Sequence, residues 1–165
     1  MKVAVISFSF KRGIPDDPTG NGNAPVAEGD QVGRMSEANE PRSGLKSPRG
    51  FVFDCRAMPN PFWDETLRGY TGRDKPVCDF FARFPETVEP FLEATETLAR
   101  QSIKQYKRDG RDHLQVAFGC TGGQHRPVYF AERMAEHLAI IDGVEVEVMH
   151  TAKPHWKTET GGNEQ

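Results

Sequence analysis

The segment Gly119-Cys120-Thr121-Gly122-Gly123-Gln124-His125-Arg126 places a thiol, a hydroxyl, an imidazole and a guanidinium among three glycines. An apolar run precedes it and a helical pattern follows, so it reads as a strand-to-helix loop. Glycines let successive backbone N–H groups aim at one point. Together with a helix N-terminus, such amides make an anion site. His125 and Arg126 add side-chain donors suited to a phosphate. The plainer alternative is a tight turn whose glycines serve packing.

Cys120 and Arg126 also stand in the spacing Cys-x5-Arg. In cysteine-dependent phosphatases that spacing lets a thiolate attack phosphorus while amides and Arg hold the oxygens. Those loops place His before the Cys and Ser or Thr after the Arg. Here Gly119 and Pro127 occupy these positions, and Pro127 has no hydroxyl to stabilise a leaving thiolate. The spacing therefore supports phosphate binding more than catalysis, and a non-catalytic binding domain is the expected class. Cys120 is the nucleophile only in the phosphatase alternative.

Asp54 and Arg56 lie two apart at a strand end, so they share a face. They form either a ligand contact or a local ion pair. Ser7, Ser9, Lys11 and Arg12 follow the first strand. Lys11 and Arg12 are either ligand contacts or solvated charges. Arg100, Lys104, Lys107, Arg108 and Arg111 form a basic set that either meets RNA phosphates or is a solvated helix end. His150, His155 and Trp156 lack metal-ligand company, and no metal is expected.

These groups need elements to position them. Val3-Ala4-Val5-Ile6 is a β-branched run typical of a strand buried on both faces. Phe51-Val52-Phe53 reads as a second short buried strand, and Leu114-Gln115-Val116-Ala117-Phe118 as a third. Val144 to Val148 alternates, as an edge strand would. Asp74 as N-cap and Pro76 in the first turn predict a helix over 75–84. Val88, Phe91, Leu92, Thr95, Leu98, Ala99, Ser102, Ile103 and Tyr106 step at three and four residues, predicting a helix over 87–108 with Pro90 in its first turn. A third helix covers about 125–140. Strands alternating with helices imply crossovers and a parallel sheet. Ligands in such sheets bind at the carboxyl ends of the strands. The expected fold is a single α/β domain, a small and mostly parallel sheet of about four strands flanked by helices. Residues 1–14 and 51–150 form it.

The 165 residues include 16 glycines and 12 prolines, and only 36% are hydrophobic. Many of the glycines and prolines fall between 15 and 50, where apolar residues are few and aperiodic. Such a segment cannot bury enough surface to offset its chain entropy, so 15–50 is expected to be a disordered insertion. Residues 151–165 are expected to be a flexible tail. A net charge of -3 excludes an arginine-rich nucleic-acid binder. No apolar run approaches the roughly 18–20 residues of a membrane span. Three widely spaced cysteines, with no CxxC, point to reduced thiols and a cytoplasmic setting. Met1 to Phe10 leads into Lys11-Arg12-Gly13 and not into a small-residue cleavage site, which favours a first strand over a signal peptide.

Four ordered motifs resemble the C-terminal domain of the RapZ family of bacterial regulators. They are Ser7-Phe8-Ser9-Phe10-Lys11-Arg12-Gly13-Ile14-Pro15, Asp54-Cys55-Arg56-Ala57-Met58-Pro59-Asn60-Pro61-Phe62-Trp63, Thr71-Gly72-Arg73-Asp74-Lys75-Pro76-Val77, and the 119–126 loop. The resemblance implies a regulatory domain that binds an amino-sugar phosphate or similar phosphorylated metabolite and, in its best-known members, small RNA. It implies ligand contact by Asp54, Arg56, Thr121, Gly122, His125 and Arg126, with Lys11 near the pocket. With the amide cradle, the expected phosphate-binding set is Lys11, Asp54, Arg56, Cys120, Thr121, Gly122, Gly123, Gln124, His125 and Arg126. Full-length members carry an N-terminal ATPase domain. No G-x4-G-K-[ST] occurs here, so the chain resembles a free-standing C-terminal domain. Phe62 stands where the family often has His, Pro127 where it has Ser, and the usual basic tail is diluted. The expected partner is a small phosphorylated ligand. RNA is the alternative partner, a homo-oligomer is compatible, and neither cofactor nor membrane contact is expected.

Overall fold

The computed structural model describes residues 1–15 and 50–157. Four strands form one sheet: β1 (Lys2–Ser9), β2 (Gly50–Asp54), β3 (His113–Cys120) and β4 (Glu145–His150). Their spatial order is β2-β3-β1-β4, and every neighbouring pair is parallel. Three helices connect them: α1 (Lys75–Phe81), α2 (Pro85–Arg108) and α3 (Arg126–Ala139). The α/β class and the parallel sheet are as the sequence pattern implies.

Burial explains the order. The central strands β1 and β3 are almost continuously buried, whereas β2 and β4 alternate. A strand flanked on both sides must be apolar on both faces, and an edge strand need not be. Val144–Val148 alternates for this reason and lies on an edge, and Phe51-Val52-Phe53, expected to be buried, forms the other edge with Val52 exposed.

One face of the sheet holds the main core, which includes Val3, Val5, Val116, Phe118, Ile103, Phe130 and Met134. Aromatic rings dominate it. Phe53 and Phe118 are register partners on β2 and β3 with centroids 5.4 Å apart, and Phe91 of α2 meets Phe130 of α3 at 4.8 Å. Such offset and edge contacts add to the area burial of each ring. The opposite face carries Ala4, Ile6, Phe8 and Ala117, all buried, with Phe10 and Met149 against them.

Three details differ from the sequence pattern. Leu98 is not inward: it is 44% exposed, while Val88, Thr95, Ala99 and Ile103 carry the buried stripe. Helix α2 starts at Pro85, so Pro90 lies inside it. The missing N–H there leaves the Glu86 carbonyl without its usual intrahelical donor. Asp74 does precede α1, but its carboxylate does not cap the helix. It accepts from the Thr71 amide at 2.6 Å and the Thr71 hydroxyl at 2.8 Å, closing the preceding turn.

The proposed insertion, apart from its end residues Pro15 and Gly50, lies outside the described residues. The proposed tail is described as far as Lys157. Over 151–157 it forms a short 3-10 turn, Lys153–His155, and hydrogen-bonds back onto the domain.

Candidate functional site

Parallel strands present their carboxyl ends at one edge, and three of those ends meet here. The end of β1 reaches the loop through Ser9, whose hydroxyl donates to the Thr121 carbonyl at 2.7 Å. The end of β2 reaches it through Arg126, whose Nη1 donates to the carbonyls of Arg56 and Met58 at 3.0 and 3.4 Å. The loop between β3 and α3 lies between them.

Within that loop the residues divide by burial. Thr121 and Gly122 are exposed, and Gly123 through Arg126 are buried. Gly123 has φ +77°, and a Cβ there would come within 2.7 Å of Ala152 and 2.9 Å of Ser9. Only glycine takes that conformation in that space. The Gly123 amide donates to Cys120 Sγ at 3.2 Å, folding the loop over the buried thiol.

Gln124 is saturated. Its Nε2 shares two N–H groups among the carbonyls of Arg68, Tyr70 and Lys157 at 3.0, 2.8 and 3.0 Å, and its Oε1 accepts from the Lys157 amide at 2.8 Å. His125 is committed in the same way: Nε2 lies 3.0 Å from the Leu67 carbonyl. A carbonyl only accepts, so Nε2 carries the proton. Burial pulls the His125 pKa below its ordinary value. Both side chains therefore hold the segment 67–70, and in Gln124's case Lys157, against the start of α3. Gly72 completes that junction, donating to the Gln124 carbonyl at 3.1 Å.

Arg126 is different. It is 9% exposed, and its Nε is buried with no hydrogen-bond partner among the described residues. A buried guanidinium N–H without an acceptor costs free energy, on the order of 1–3 kcal/mol. The group also lies close enough to Asp54 to add, after Arg56, to the lowering of its pKa.

Asp54 and Arg56 form a bidentate ion pair, with Nε 2.9 Å from both carboxylate oxygens and Nη2 2.6 Å from Oδ2. The guanidinium of Arg56 holds the Asp54 carboxyl below its usual range. Both side chains remain about half exposed, and the Arg56 guanidinium also covers the Phe10 ring at 4.6 Å. Lys11 sits exposed in a 3-10 turn, Phe10–Arg12, after β1. Among the described residues no group of three metal-ligating side chains comes together.

Some contributions were not legible. Trp156 donates from Nε1 to the Gly123 carbonyl at 3.2 Å, and Lys157 grips Gln124, so the C-terminal segment is part of the loop's frame. Ser7 Oγ lies 2.7 Å from His150 Nδ1, and His150 Nε2 lies 3.0 Å from Glu132. This chain ties β1 to β4 and α3 beside the site. Nothing in the spacing of these residues signals the contacts, which join Ser7 to His150 from opposite ends of the sheet's sequence order and α3 to the end of β4.

The chain matches the family model described as RapZ C-terminal domain over residues 41–153. It is 45% identical over 97 residues to a nucleotide-binding protein of Polynucleobacter necessarius, covering 59% of this chain and 32% of that one. It is 36% identical over 125 residues to a nucleotide-binding protein of Xanthomonas campestris pv. campestris, covering 76% and 44%. A nucleotide-binding protein of Bordetella petrii is 45% identical over 98 residues, covering 59% and 33%. The chain thus spans less than half the length of these relatives. With its motifs gathered at the carboxyl edge of one parallel sheet and the family model matched over most of its length, the chain belongs to the RapZ C-terminal domain family.

Proposed function

We propose that the edge formed by the 120–126 loop and the end of β2 binds the phosphate of a small metabolite, of amino-sugar phosphate or nucleotide-sugar type. Its role is regulatory, not catalytic. The observation that carries this is the buried Arg126 guanidinium with an Nε that has no acceptor among the described residues. An anion at the N-terminus of α3 would supply that acceptor and meet the helix dipole as well. Arg56, Thr121 and the exposed Gly122 backbone stand on the solvent side of the same edge, and Lys11 ends the strand beside them. Gln124 and His125 position the loop, since the Gln124 amide and His125 Nε2 are already engaged.

Calorimetry with glucosamine 6-phosphate and with inorganic phosphate tests this. Binding of the sugar phosphate that is lost in Arg126→Ala supports it. Equal binding by wild type and variant refutes it. Turnover of an aryl phosphate that disappears in Cys120→Ser would replace it with a phosphatase.

The second reading, a small-RNA adaptor, has one observation of its own. Phe62 lies between two cations, Arg68 at 5.0 Å and Lys157 at 5.8 Å from its ring centre, and Trp63 beside it is 78% exposed. Exposed aromatics among cations stack bases. Retention of RNA with a steep salt dependence, weakened in Trp63→Ala, would favour it.

A further inference from the structure

The β2–β3 register pairs Phe51 with Val116, Phe53 with Phe118 and Asp54 with Gly119. The next pair in that register is Cys55 and Cys120. The ladder continues to them, because the Cys55 amide donates to the Gly119 carbonyl at 2.7 Å. Register partners on parallel strands point to the same face, here the face of Phe53 and Phe118. Adjacent strands lie about 4.8 Å apart, inside the Cα separation of about 4.4–6.8 Å that a disulfide spans. Cys120 also lies close to Cys55: after burial it is the largest influence raising the Cys55 pKa. The third cysteine, Cys78, lies on α1 with its Sγ near the Gly72 carbonyl, outside this register.

We propose that Cys55 and Cys120 form a dithiol–disulfide pair through which a peroxide-class oxidant controls anion binding at the loop. The control rests on the phosphate reading above; the bond itself does not. Cys120 is 4% exposed and Cys55 is fully buried, so attack begins at Cys120. The Cys120 thiolate attacks one peroxide oxygen, the O–O bond breaks, and the departing hydroxide takes up a proton to leave as water. The resulting sulfenic acid is attacked by the Cys55 sulfur. The S–S bond forms, the S–O bond breaks, and the hydroxide leaves as water with the Cys55 proton. The two thiols are oxidised and the peroxide is reduced to two waters. Burial pushes the Cys55 thiol well above its ordinary pKa, so this second step is slow.

The bond has a structural consequence. Cys120 Sγ now accepts from the Gly123 amide, the contact that folds the loop. A sulfur turned toward Cys55 gives up that contact, and the Thr121–Gly123 backbone loses its present shape.

The full chain is treated with hydrogen peroxide, then mapped by mass spectrometry without reduction, and phosphate binding is measured before and after dithiothreitol. A Cys55–Cys120 linkage in wild type and Cys78→Ser, absent in Cys55→Ser, is the expected result. No intrachain linkage, or one involving Cys78, overturns the pair. Loss of phosphate binding on oxidation, restored by dithiothreitol, is the expected functional result. Unchanged binding by the linked protein overturns the control. If neither form binds phosphate, the phosphate reading fails together with the control, while the linkage is still decided by mass.

Discussion

The 123–126 segment and the Asp54–Arg56 pair are equally polar in sequence and opposite in structure. Gln124, His125 and Arg126 are buried, and their hydrogen bonds run to backbone carbonyls of distant segments. Asp54 and Arg56 bond mainly to each other, half in water. The first set builds the frame, and its loss leaves buried groups unpaired. The second set satisfies itself at the surface, and an exposed ion pair contributes little to stability. Polar residues at a strand end are therefore not interchangeable: burial turns Gln124 and His125 into frame, while Arg126 combines a framing Nη1 with a buried Nε that has no partner among the described residues.

That contrast breaks most sharply at Gly123. Gly123→Val places a β-branched residue at φ +77° against Ala152 and Ser9. Backbone strain and overpacking together should cost about 3 kcal/mol, read as a lower midpoint in urea. An unchanged midpoint would mean that the loop relaxes freely and is not a frame.

Gln124→Ala should come next. It removes the donor to three carbonyls and the acceptor of the Lys157 amide. A loss of about 2 kcal/mol is expected, since water can reach some of these groups. Faster hydrogen exchange at Lys157 would show that the C-terminal segment is released.

Binding should order the arginines the same way. Arg126→Ala should weaken phosphate or sugar-phosphate affinity by at least about tenfold, an effect of roughly 1.4 kcal/mol. Arg56→Ala should weaken it less, because Arg56 already has Asp54 as its partner. Equal small effects would assign the loop to packing alone.

The smallest effects concern pH. His125 and His150 both have pKa values lowered by burial from the ordinary 6.5. The unfolded chain then binds protons at a pH where the folded one does not. Stability should be complete above about 6.5 and fall as pH drops below it, levelling off below the folded-state values. His125→Gln should flatten this slope in a series of thermal melts between pH 7 and 5. Asp54 acts on a lower window. Its lowered pKa adds stability above the ordinary carboxylate value of 3.8, lost as pH falls through the folded value. Exposure makes that contribution small, so Asp54→Asn should barely move the acid limb.

Much of the fold was legible because burial imposes periods on a chain. Val3-Ala4-Val5-Ile6 had to be a central strand, and the alternation at 144–148 had to be an edge. Leu98 misled because it stands at helical spacing yet falls just outside the stripe that faces the sheet. The 151–157 segment misled because its polar composition is that of a frayed end. Its order comes from single contacts, Trp156 on Gly123 and Lys157 on Gln124, which no composition reveals.

The sequence by itself determined the elements, the parallel sheet and the edge where polar residues gather. Each follows from local propensity, apolar period and the geometry of crossovers. It also placed Lys11, Asp54 and Arg126 at or after the carboxyl ends of three strands. Only the tertiary structure decided what each does there. Whether a guanidinium meets a carboxylate, a backbone carbonyl or nothing depends on segments brought together from far along the chain. Arg56 found Asp54 two residues away, while Arg126 found the carbonyl of a residue seventy positions earlier and kept one buried N–H without a partner among the described residues.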